Sequence, residues 1–389
     1  MTSSNMPDDA VEPFTLDVDE AVLDDLKHRL SAVRWPDRET VGDWEQGVPL
    51  AQVKRLQDYW LNSYDWRRCE AQLNALGQFR TRLDGLDIHF LHVRSPVADA
   101  FPLVLTHGWP GSVMEFAKVI GPLTDPVAHG GTASDAFHLV VPSLPGYGFS
   151  ERPTAPGWNT ERIARAWIAL MRRLGYGRFG AQGGDWGASV TMHMGAMAPP
   201  ELAAIHLNLA LGGPDAEDMA HLTDDERARL AHVERHRIRG RGYSEEQSTR
   251  PQTLGYALAD SAIGQGAWIY EKYREWSDCG DDPTSAFSLD EMLDNIMLYW
   301  LPNAAASSAR LYWESFASFG SFASGAIQTP TGVSLFHKEI YRPTRRWAER
   351  ALPNLVYWNE LDRGGHFAAF ETPDLFVEEM RRFFARFRG

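Results

Sequence analysis

The chain of 389 residues holds only two cysteines, Cys69 and Cys279. They lie far apart and without C-x-x-C spacing, which excludes a disulfide framework and offers no thiolate zinc site. Such scarcity suits a reducing compartment, and the cytoplasm is the expected location. No apolar run approaches the roughly 18 residues of a membrane span. The stretch from Met1 to Pro13 lacks the basic start and apolar centre of a secretory signal or N-terminal anchor. Positive charge is also in deficit: 38 Lys and Arg against 52 Asp and Glu give a net charge of −14. That field repels nucleic acid and anionic membrane surfaces. Internal repeats and low-complexity tracts are lacking too. What is present is a globular composition, 44% hydrophobic, able to build a sizeable core and suited to a neutral or weakly polar small ligand.

Residues 17–34 space Val18, Val22, Leu26 and Leu30 four apart, an amphipathic helix that ends before Trp35-Pro36. A second helix is expected over 49–62. Beyond Phe79, short strands at 88–93, 103–105 and 137–141 alternate with helical stretches near 112–122 and 160–174. Such alternation predicts an α/β fold, a mainly parallel sheet covered by helices. Between 215 and 325 helices take over, including 256–276 and 289–301, as expected of an inserted cap. Alternation resumes with a strand at 332–337, a helix near 343–351, a strand at 355–358 and a closing helix from about 373. The expected organisation is a helical leading meander over 1–75, core over 76–214, cap over 215–325 and the rest of the core over 326–389.

Gly183-Gly184-Asp185-Trp186-Gly187 falls between a short strand ending near Gln182 and a helix over 188–197. A strand-to-helix turn flanked by small residues is the nucleophile elbow of the α/β-hydrolase fold. Its central residue is Asp185. A carboxylate is ionised at neutral pH and attacks an electrophilic sp³ carbon without a base, giving an alkyl ester of the enzyme. Hydrolysis of that ester requires an activated water, hence a His, an orienting acid and donors for an oxyanion. His366, in Arg363-Gly364-Gly365-His366-Phe367 after the last strand, stands where the base of this fold belongs. Glu339 is the favoured acid and Asp362 the alternative. Leu103 to Thr106 runs into His107-Gly108-Trp109-Pro110-Gly111, so the amides of Trp109 and Trp186 are the expected oxyanion donors.

Three weaker patterns read as structure. Gly175 to Gly180 matches G-x-G-x-x-G but precedes a strand, so it cannot present a helix N-terminus to a pyrophosphate. His232 and His236 share a helix face, yet the H-E-x-x-H order and a third ligand are missing. The basic run Arg235 to Arg241 lies beside Glu234, Glu245 and Glu246 and is expected to be solvated surface.

With these motifs, Leu23-Asp24-Asp25-Leu26, Arg34-Trp35-Pro36-Asp37, Tyr64-Asp65-Trp66-Arg67 and Pro145-Gly146-Tyr147-Gly148-Phe149-Ser150, the chain resembles the epoxide hydrolases of the microsomal type. That family includes insect juvenile-hormone enzymes and soluble fungal and bacterial members. The resemblance covers nearly the whole chain. It implies two cap tyrosines that hold the epoxide oxygen, matching Tyr243 and Tyr312, with Tyr299 a nearby alternative to Tyr312. It implies Glu339 as the charge-relay acid, a small epoxide and water as reactants, and neither metal nor organic cofactor. A phenol, with a pKa of about 10, suits protonation of a basic alkoxide.

The expected activity is therefore conversion of an epoxide to a vicinal diol. A bulky or aromatic substrate is suggested by Trp268, Trp276, Trp300 and Trp313. A role in detoxification or, by resemblance, in an antibiotic pathway of the enediyne kind stays open, as does assembly, for which a homodimer is the expectation carried forward. The rival readings are a haloalkane dehalogenase, which shares the fold and the Asp nucleophile, and a ligand-binding relative without turnover.

Overall fold

The computed structural model describes residues 9–316 and 327–388. Nine strands form one sheet: β1 (Val11–Pro13), β2 (Gln78–Leu83), β3 (Leu86–Val93), β4 (Phe101–Thr106), β5 (Phe137–Pro142), β6 (Phe179–Gly183), β7 (Leu202–Leu207), β8 (Thr331–Leu335) and β9 (Leu355–Glu360). Their order is β1-β2-β3-β5-β4-β6-β7-β8-β9. The three pairings from β1 to β5 are antiparallel. Every later pairing is parallel. Parallel strands are covered on both faces and read as continuous apolar runs. Leu103, Val104, Leu105, Leu139, Val140 and Val141 are accordingly all buried.

The helices Thr160–Arg173, Asp185–Met197 and Pro373–Phe384 cover this sheet. Between β7 and β8 the described chain is helical, with Gly242–Thr249, Ala262–Trp276, Leu289–Trp300 and Ala305–Ser315 closest to the catalytic residues. The stretch expected as one helix over 256–276 is two: Pro251–Asp260 and Ala262–Trp276. Ser261 adopts an extended conformation between them, and its side chain accepts from the Gly264 N–H, an N-cap that starts the second helix. The end of the expected cap, 317–325, and residue 326 lie outside the described residues, as do 1–8 and 389.

The leading segment adds β1 and the helices Glu20–Ser31, Leu50–Asn62 and Trp66–Ala75. It packs on the inserted helices through polar ties that span the sequence. Tyr64 donates to Asp294 at 2.8 Å, Arg68 pairs with the same carboxylate, and Tyr59 donates to Asp290 at 3.0 Å. No described helix is long and apolar enough to cross a membrane.

Candidate active site

β6 turns directly into the helix that begins at Asp185, whose φ is +48°. A left-handed conformation in a residue with a side chain marks strain that its surroundings must hold in place. The flanking glycines make the turn possible. A Cβ on Gly183 would meet the carbonyl oxygen of Gly187 at 2.1 Å, and one on Gly187 would meet the Thr106 oxygen at 1.9 Å. Neighbouring β4 runs into Gly108 and Trp109, and the Trp109 N–H donates to Asp185 Oδ1 at 2.7 Å. The expected oxyanion donor thus touches the expected nucleophile. Trp186 follows it, with its ring edge-on to Tyr312 at 4.8 Å.

His366 arrives on the loop after β9. Its Nδ1 lies 2.7 Å from Glu339 Oε1 and its Nε2 lies 3.4 Å from Asp185 Oδ2. Of the two candidate acids the fold brings Glu339 to the imidazole, whereas Asp362 is exposed. The acid and His loops are stitched together: Lys338 N–H donates to Gly364 O, and Leu361 N–H to Leu335 O, both at 2.8 Å. Glu339 is 1% exposed, and its Oε1 also accepts from the Ile340 N–H at 2.7 Å. Burial alone would push the His366 imidazole down. The charges of Glu339 and Asp185, with the hydrogen bonds to both, outweigh it and hold the ring well above its ordinary value.

Tyr243 and Tyr312 face this centre from two inserted helices, with ring centroids 5.8 Å apart. Tyr243 stacks on Trp109 at 5.0 Å, and Tyr312 stands edge-on to the same indole at 5.9 Å. Burial raises both phenols, with the Asp185 charge adding to it, so both stay protonated at neutral pH. Tyr299, the alternative to Tyr312, is committed elsewhere: its hydroxyl donates to Gly111 O at 2.7 Å.

The four tryptophans expected as substrate walls divide. Trp276 lies 5.0 Å from the His366 ring and 5.1 Å from Tyr243. Trp268 is held by Gln247 through its indole N–H, Trp300 packs under the Arg29 guanidinium, and Trp313 is 53% exposed. The rings gathered around Asp185 and His366 are Trp109, Trp186, Tyr243, Trp276 and Tyr312, so that of the four expected tryptophans Trp276 alone is among them. Sequence periodicity places a residue on a helix but does not say which neighbour each face meets. A crevice of about 400 Å³, with Trp158, Arg310 and Trp313 on its walls, shares the Tyr312 helix but has none of the catalytic candidates among its described lining residues.

A family model for the epoxide hydrolase N terminus matches residues 11–116, and one for the alpha/beta hydrolase fold matches 102–236. A Stigmatella aurantiaca protein bearing the epoxide hydrolase name is 56% identical over 97% of this chain and 86% of that one. The chain belongs to the epoxide hydrolase family. Among solved structures, the fold of this epoxide hydrolase is similar to that of the juvenile hormone epoxide hydrolase of the silkworm Bombyx mori. The TM-score is 0.89 at 30% identity, covering 97% of this chain and 95% of that one. An Aspergillus niger epoxide hydrolase gives 0.87 at 33% identity, covering 97% and 96%.

Two residues near the centre of this epoxide hydrolase escaped the sequence reading. Lys272 is 2% exposed, its ammonium 4.7 Å from the Tyr243 ring centroid and 2.8 Å from Glu275. Glu115 lies deep beside Gly111, where burial raises its carboxyl to about 8. Each sits in a stretch whose local pattern is that of an ordinary helix, and only the tertiary fold turns it inward. Of the patterns read as structure, the His pair lies close enough to the centre to feel the Glu339 charge, and His236 also those of His366 and Lys272. Arg237, Arg239 and Arg241 make exposed pairs with Glu234, Glu45 and Glu245. Among the described residues no cluster of His, Cys, Asp and Glu could hold a metal ion.

Proposed function

We propose that this epoxide hydrolase works through a covalent ester on Asp185, and that residues 215–325 act as its cap over a core built from 76–214 and 326–389. The observation that supports it best is the convergence of Asp185, His366 and Glu339 at 2.7 and 3.4 Å beneath two phenols. An Asp185 oxygen attacks an epoxide carbon, the C–O bond breaks, and the departing oxygen takes a proton from Tyr243 or Tyr312. The product is a hydroxyalkyl ester and a phenolate. Esterification removes the Asp185 charge that raises the His366 pKa, so the imidazolium passes its proton to the phenolate and stands as a neutral base.

Water then gives a proton to His366 Nε2 while its oxygen adds to the Asp185 carbonyl carbon. The Trp109 and Trp186 amides hold the resulting oxyanion. Collapse expels the diol, whose leaving oxygen takes the proton from His366, and the remaining proton of the water passes from the Asp185 carboxyl to His366, restoring the imidazolium–carboxylate pair. Every atom is conserved in the sum of epoxide and water to diol. The five aromatic walls favour a bulky or aromatic epoxide.

Tyrosine substitutions test this division of labour. Tyr243→Phe and Tyr312→Phe are each expected to slow ester formation from an aryl epoxide by about tenfold to a hundredfold. The double variant should be slower still. Rapid-quench measurement of the ester checks it, and unchanged ester formation in the double variant contradicts the assignment.

A further inference from the structure

We propose that Glu115 positions the hydrolytic water against His366, an inference that rests on the Asp185 ester route. The residue lies on the short helical turn Val113–Phe116, directly after the Trp109 turn that supplies the oxyanion donor. Its carboxyl occupies the space a side chain at Gly111 would need: a Cβ there would meet Glu115 Oε1 at 1.4 Å. One turn of chain therefore delivers both an amide to Asp185 and a carboxyl that feels its charge.

Two features set this corner apart. Val113, Met114 and Phe116 are buried, yet Glu115 is only half-buried, and the Asp185 side chain keeps 17% of its exposure. Both acids thus keep accessible surface among buried neighbours. The Glu115 carboxyl makes no hydrogen bond to a described residue, although it lies close enough to His366 and Asp185 to feel both charges. Behind it, the buried Tyr273 hydroxyl lies against the Asn295 side chain, whose Nδ2 donates to Pro110 O at 2.7 Å.

The chemistry needs such a group. A water that attacks the ester must give one proton to His366 and have its second O–H held, so that a lone pair points at the Asp185 carbonyl carbon. The protonated carboxyl of Glu115 offers a carbonyl oxygen as that second acceptor. The groups facing it are His366 and Asp185 from the core, and Tyr273 and Tyr299 from the inserted helices. Farther out, Glu291 is paired with Lys118 and Asp294 with Arg68. Glu115 is a positioning residue, acting through the water on a step that follows ester formation.

The test separates the two half-reactions. Ester on the Asp185 peptide is followed by rapid quench and mass analysis during turnover of styrene oxide, for the parent, Glu115→Met, Glu115→Ala and Glu115→Gln. Methionine and alanine remove the acceptor, and glutamine keeps a carbonyl. In the Met and Ala variants the ester should form at a rate within about threefold of the parent and decay about tenfold or more slowly, so that it accumulates. Glutamine should restore decay to within about threefold at neutral pH. Normal decay in Met and Ala, equal slowing of both steps, or a glutamine variant as slow as alanine overturns the assignment. An ester that forms in a variant also shows that the variant is folded. If the parent itself forms no ester, the Asp185 route falls and this inference with it. If the parent ester forms and the Met and Ala variants hydrolyse it normally, only the role of Glu115 falls.

Discussion

His366 lies between two carboxylates that differ in purpose, and the difference can be read at single residues. Asp185 sits at a strained turn and faces interior space, whereas Glu339 is sealed, with Oε1 shared between the imidazole and the Ile340 N–H. An acid so placed orients the ring and stabilises the imidazolium that forms during ester hydrolysis. Glu339→Gln is expected to slow ester hydrolysis by about a hundredfold or more while leaving ester formation nearly intact. Asp362→Asn, on an exposed side chain, is expected to change kcat by less than about twofold. Pre-steady-state kinetics on both variants check this, and an equal loss in the two would return the question to Asp362. The sequence left that choice open because both acids precede His366 in chain order. The Lys338 to Gly364 tie that brings the Glu339 loop against the His loop is a tertiary contact with no local signature.

The strand-to-helix element at residues 179–197 was legible because its chemistry is local. A strand, a small residue on either side of an acid and a helix must all occur within a few positions. The glycines are not equivalent, however, and the structure ranks them. Gly187 approaches the Thr106 carbonyl so closely that a Cβ would lie 1.9 Å from its oxygen, while at Gly184 the nearest atom is Asn208 Cβ at 3.7 Å. Backbone cannot move aside at the first position and need not at the second. Gly187→Ala is expected to cost more than about 3 kcal/mol, or to prevent folding, and Gly184→Ala less than about 1 kcal/mol. Urea unfolding of the two proteins checks the ranking, and similar midpoints would contradict it. Less legible were the faces of the inserted helices. Tyr312 and Trp313 are neighbours in sequence, yet one is buried beside Trp186 and the other is 53% exposed.

At the scale of the whole molecule, the sheet and the inserted helices close around the Asp185–His366 centre, and that closure has a thermodynamic cost. Burial raises the Glu115 carboxyl from an ordinary 4.5 to about 8. A group whose folded pKa is raised contributes most below its unfolded value, and that contribution is lost as pH rises through the folded one. Between pH 4.5 and about 8 the parent should therefore lose stability relative to Glu115→Gln, which has no proton to lose. The expected difference grows to between about 1 and 4 kcal/mol. Denaturant midpoints of both proteins across that range measure it, and parallel pH profiles would contradict it. Composition and alternation revealed the sheet and the inserted helices, whereas Glu115 was invisible because a residue's surroundings are a property of the assembled chain. The central claim is covalent catalysis by Asp185. One turnover with excess enzyme in heavy-oxygen water, followed by mass analysis of the peptide that holds Asp185, tests it most directly. The account predicts label in the Asp185 carboxylate and the other reacting oxygen in the diol. Label in the diol after that single turnover, with none in Asp185, would contradict it.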